Sequence, residues 1–129
     1  MISDLSKVHE LISDLFEWPK SEKEWDHYKL TTEQIAFFDE NGYLPNIKLL
    51  EHWQVASLNK ELESITDPNQ PGMDLFYEFV SNESANPDTV LFHSLGHWRV
   101  KEGFHDILWN PAFVMAASQL LGDNSVRFW

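Results

Sequence analysis

The sequence has no cysteine among its 129 residues, which excludes a disulfide framework and thiolate chemistry alike. Basic residues are scarce, 9 Lys and Arg against 21 Asp and Glu, for a formal charge of -12. An acidic surface repels phosphate, so neither nucleic acid nor anionic membrane is expected as a partner. The acid excess runs through both halves and reads as soluble surface charge, not as a tail. Long apolar runs are missing too. The longest, Ala112 to Ala117, is far too short for a bilayer span. The opening MISDLSKVHE lacks the basic start and apolar stretch of a signal peptide, which places the chain in the cytoplasm. In that setting the sequon Asn82-Glu83-Ser84 is a chance match.

What is present is aromatic. The apolar share is 43% and the aromatic share 14%, with six Trp and nine Phe, a composition that builds a core and does not stay disordered. The length suits one domain, 1–129.

Ile2, Leu5, Val8, Leu11, Ile12, Leu15 and Phe16 recur at three- and four-residue steps, which predicts an amphipathic helix over Ile2 to Phe16, capped by Ser3 and stopped by Pro19. Ser21 to Lys29 reads as a charged connection. Thr31 with Gln34 three residues on is a capping-box pattern opening a helix with Ile35, Phe37 and Phe38 inward, and Asn41-Gly42 closes it. Tyr43 to Ile47, interrupted by Pro45, reads as a short edge strand. Leu49 to Ile65 returns to helical spacing, with Leu50, Trp53, Leu58, Leu62 and Ile65 as inner residues. "DPNQPG", Asp67 to Gly72, is turn chemistry throughout. Asp74 to Val80 and Val90 to Leu95 read as strands around a loop at Asn82 to Asp88. Phe104, Ile107 and Leu108 suggest one short helix. Asn110 with Pro111 starts another, closed by Gly122, and Ser125 to Trp129 begins a strand. The class is helix-rich α+β.

Chemistry is hard to find. None of the six histidines has Asp or Glu two places on, so no His-x-Asp/Glu element presents two iron ligands from one strand face. His93 and His97 have the spacing of a two-His site on a helix, but "VLFHSLGHW" reads as strand, and no carboxylate completes a set. His9-Glu10 and His105-Asp106 are neighbours, and neighbours on a regular element point apart. There is no G-x-S-x-G turn, Walker loop or G-x-G-x-x-G. Most Trp and Phe fall on apolar faces and read as core.

Two stretches carry a resemblance. "LTTEQIAFFDENGYLPNIKLL" and "LGHWRVKEGFHDILWNPAFVMAASQLLGDNSVRFW" resemble successive segments of the phytanoyl-CoA dioxygenase family: a helix with a Phe pair running through Gly-Tyr, then an Asn/Asp-Pro helix ending in Leu-Leu-Gly before a "VRFW" strand. The resemblance covers 30–129 and leaves 1–29 outside it. It implies the helical scaffold and first strands of a double-stranded β-helix (jelly-roll) oxygenase, in its N-terminal half only. Members depend on iron(II) and 2-oxoglutarate and hydroxylate small-molecule substrates. Their His-x-Asp, later His and cosubstrate Arg follow the "VRFW" strand, so no metal ligand or catalytic residue carries over to this chain, which is then inactive through that triad. His93, Trp98 and Arg99 match by neighbourhood a segment lining the cosubstrate and substrate pocket. A non-catalytic helical binding module derived from such an enzyme is the alternative. Self-association through an open β edge at "SVRFW" is also expected.

Overall fold

A computed structural model describes residues 3–122 and 124–127. Among them the chain is helix-rich, with one small antiparallel sheet, an α+β arrangement. Its helices are α1 (Glu22–Trp25), α2 (Thr32–Asn41), α3 (His52–Ile65), α4 (Glu102–Asp106) and α5 (Pro111–Leu120), and its strands are β1 (Glu78–Val80) and β2 (His93–Leu95). No described helix is long and apolar enough to cross a membrane.

The ends of α2 and α5 are as expected, although on α2 Phe37 is exposed while Ile35 and Phe38 are half-buried. Thr31 Oγ1 accepts from the Gln34 amide at 3.2 Å while Gln34 Oε1 accepts from the Thr31 amide at 2.9 Å, so two otherwise unpaired donors are satisfied together. Gly42 closes α2 in the left-handed region, φ 77°. Asn110 Oδ1 accepts from the amides of Ala112 and Phe113, with Pro111 at the first helical position.

The N-terminal segment departs from its spacing. Instead of a helix over Ile2 to Phe16, there is one 3-10 turn, Leu5–Lys7, capped by Asp4 and not by Ser3, and then irregular chain. Residue Ile2 lies outside the described residues. The physical reason is visible at one bond. An α-helix would need the Ile12 amide to donate to the Val8 carbonyl. Here that amide donates to the Asp106 carboxylate at 3.1 Å, and the Val8 carbonyl lies 3.1 Å from His105 Nε2. Two side chains 94 and 97 residues away take the two halves of one helical hydrogen bond. The apolar spacing is still used: Leu15 and Phe16 form the core with Leu58, and Leu11, Leu50, Phe104 and Ile107 pack against it.

On α3 the inner stripe is rotated from the expected one. Leu58 and Ile65 are buried, but Trp53 and Leu62 are exposed and Gln54 is buried in their place. Gln54 turns inward because its Nε2 donates to the Leu15 carbonyl at 2.6 Å. Glu61 on the same helix receives the Gly103 and Phe104 amides at 2.9 and 3.1 Å. Apolarity alone does not mark either residue as inward.

The strands are shorter than the β-rich runs suggest. Glu78 pairs with Leu95, Phe79 with Ser94 and Val80 with His93. Asp74 falls in a 3-10 turn, Met73–Leu75, and Val90 to Phe92 lie outside the ladder. Ser21 to Lys29 is not a plain connection but α1, capped by Ser21, and a 3-10 turn, Asp26–Tyr28. Tyr43 to Ile47 is in no sheet, and Asn46 adopts φ 63°, which breaks extended geometry. Ser125 to Arg127 joins no ladder among the described residues, since alternation supplies a face but not a partner strand. Phe128 and Trp129 lie outside the described residues.

Candidate functional site

The chain from β2 through α4 carries the three residues singled out for a pocket, and the fold sends them to different places. His93 sits on β2 with Nε2 3.4 Å from Glu78 on the facing strand. Gly96, at φ 104°, then reverses the chain so tightly that an added Cβ would lie 3.1 Å from the Tyr77 amide nitrogen. A 3-10 turn, His97–Arg99, follows. Trp98 lines a cavity with Trp18, Trp109 and His105. Arg99 is spent on structure: Nη2 and Nε donate to Asp4 at 2.6 and 3.2 Å, and Nη1 donates to the Leu75 carbonyl at 2.7 Å. Its guanidinium also lies 4.9 Å from the centre of the Tyr77 ring. Arg99 and then Ser6 hold the Asp4 carboxyl well below the usual carboxylate range, and Asp4 in turn raises the arginine.

His93 and His97 do not converge. The Gly96 reversal takes His97 off the strand, where its Nδ1 lies 2.9 Å from Ser94 Oγ and its ring meets Phe104 edge to face at 5.0 Å. Burial lowers the His97 pKa. Among the described residues no group of three or more His, Asp or Glu is arranged to hold a metal ion.

A buried polar cluster lies at His105 and Asp106, which spacing alone does not mark. His105 and Asp106 were expected to point apart, yet Nδ1 and Oδ1 are 2.8 Å apart. Adjacent residues on a helix diverge by about 100°, not 180°. The pair ends α4, where the chain tightens into a 3-10 turn, Ile107–Trp109. Asp106 is fully buried, and it receives the Ile12 amide, the Ser13 amide at 2.7 Å and the Ser13 hydroxyl at 2.7 Å. His105 is buried between that carboxylate and the Val8 carbonyl. Every polar atom of the pair faces the chain itself, so it fastens the N-terminal arm and leaves nothing for a substrate.

A second cleft, of about 570 Å³, lies where the arm meets the loop before α3 and includes Gln54 and Asn110. Gln54 accepts from the Glu51 amide besides donating to Leu15, and Asn110 Nδ2 donates to the Leu49 carbonyl at 2.9 Å. These buried amides brace backbone and do not converge on an open position. No protein-family model matches the chain, and no curated protein matches it.

Proposed function

We propose that the chain is the N-terminal portion of a phytanoyl-CoA dioxygenase-like hydroxylase dependent on iron(II) and 2-oxoglutarate, and that it supplies scaffold, not chemistry. The observation that carries this reading is the pair of resembling stretches, Leu30 to Leu50 and Leu95 to Trp129, in the family's order. The elements within them include α2 with its reciprocal cap and α5 with its Asn-Pro start.

The β1–β2 ribbon adds support. A lone two-stranded ribbon is marginal in water. This one is flanked by exposed apolar side chains, Tyr77 at 68%, Val90 at 73%, and Leu91 and Leu95. A larger sheet laid beside it would cover that surface.

The donor set does not fit iron. His93 faces Glu78, His97 faces Ser94, and His105 is closed between Asp106 and Val8. No catalytic step is therefore assigned to these residues, and the triad is sought elsewhere in the enzyme. The test is to read the coding sequence beyond the Trp129 codon. A His-x-Asp, a later His and an Arg are expected. A stop codon with no second half encoded nearby would sink the enzyme reading and leave a non-catalytic helical binding module.

A further inference from the structure

We propose that the cavity between the N-terminal arm and the α4–α5 region binds a small, uncharged aromatic molecule, and that this ligand clamps the arm in place. The inference stands independently of the dioxygenase reading, because its lining comes partly from residues 1–29, outside the resemblance.

The cavity has a volume of about 390 Å³, within the range of small-molecule pockets. The arm and the segment after it contribute Ser6, Val8 and Trp18, and the rest of the fold contributes Trp98, Trp109 and Val114. Trp18 and Trp109 meet edge to face, with centroids 5.4 Å apart and planes at 81°. Trp25 braces Trp18 the same way, at 5.0 Å and 85°. The rings therefore form a fixed corner, the geometry that holds a third aromatic ring by edge and face contacts.

Charge selects among ligands. No Asp, Glu, Lys or Arg lines the cavity; of its two histidines, His105 has both nitrogens facing acceptors and His9 is exposed to solvent. An ion entering would lose hydration with only the exposed His9 as a titratable neighbour free of internal partners, whereas a neutral ring carrying one hydroxyl could meet the Ser6 hydroxyl or an indole N–H. Because the walls belong to both the arm and the body, filling the cavity favours the docked arm over the open one, and the ligand acts on that equilibrium by mass action.

The test uses the full chain, 15N-labelled, titrated with 2-naphthol near neutral pH while the assigned indole N–H signals of the six Trp are followed. Saturable shifts are expected at Trp18, Trp98 and Trp109, with none at Trp53, which is exposed and lines a different cleft. Naphthalene-2-sulfonate, the same ring system with a charge, should bind at least about tenfold more weakly. Trypsin cleavage after Lys7 should slow about tenfold at a 2-naphthol concentration ten times its Kd. Non-saturating shifts shared with Trp53 would overturn the site. Equal affinity for the sulfonate would overturn the ligand class, and an unchanged cleavage rate at saturation would overturn the clamp.

Discussion

Asp106→Ala is the substitution that most directly tests how the N-terminal arm is held. The carboxylate receives the Ile12 and Ser13 amides, the Ser13 hydroxyl and His105 Nδ1, at 2.7 to 3.1 Å, in a fully buried setting. Truncation leaves these groups buried without acceptors, and each abandoned donor costs about 1–3 kcal/mol. Some will regain water as the arm loosens, so the sum is bounded by the 3–5 kcal/mol typical of breaking one side of a buried pair. A loss of about 4 kcal/mol is expected, against a total stability of roughly 5–15 kcal/mol for a domain. With a urea slope of about 2 kcal/mol/M, the midpoint should fall by about 2 M. Hydrogen exchange gives the local readout: protection at the Ile12 and Ser13 amides should drop by about a thousandfold. Asp106→Asn keeps one acceptor oxygen and should fall roughly halfway between. A midpoint shift under about 0.5 M with unchanged protection at both amides would refute the account, and the arm would then be held by the packing of Leu15 and Phe16 and by the Asp4–Arg99 and Gln54–Leu15 contacts.

Other consequences are equally direct. Gly103→Ala places a Cβ 2.8 Å from Glu61 Oε2, which must leave the Gly103 and Phe104 amides; a loss of about 1–3 kcal/mol is expected in urea melts, and much less in a Glu61→Ala background where the clash is gone. Gly96→Ala meets both a φ of 104° and the Tyr77 backbone at 3.1 Å, so it should cost at least about 2 kcal/mol and broaden the NMR signals of β1 and β2. Burial holds His97 below its ordinary pKa, so its contribution is complete above the unfolded value of about 6.5 and is lost as pH falls through the folded value; His97→Gln should flatten the decline of thermal stability between pH 6.5 and 5, and an unchanged slope would contradict this. The exposed ribbon should make the isolated chain associate with rising concentration in sizing chromatography, and Val90→Lys should reduce that association; a monodisperse wild-type monomer at all concentrations would count against the sheet-completion reading.

The sequence by itself determined the features whose partners lie within a few residues. Thr31 and Gln34 cap one another, Gly42 ends α2, Asn110 and Pro111 start α5, and the Asp67 side chain accepts from the Asn69 amide to shape the "DPNQPG" turn. In each case one or two local hydrogen bonds, or the freedom of one glycine, decide the conformation. Tertiary structure decided the rest. The spacing of Leu5 to Phe16 is that of a helix, yet Asp106 and His105 take the hydrogen bonds a helix would need. Gln54 and Glu61 face inward because backbone groups at Leu15, Gly103 and Phe104 await them there. Trp18, Trp98 and Trp109 are scattered in the chain and gather around one cavity. Periodicity records which residues are apolar, whereas a backbone amide goes to whichever acceptor the completed fold brings nearest. Asp106 lies 94 residues from Ile12 in the chain and 3.1 Å from it in space.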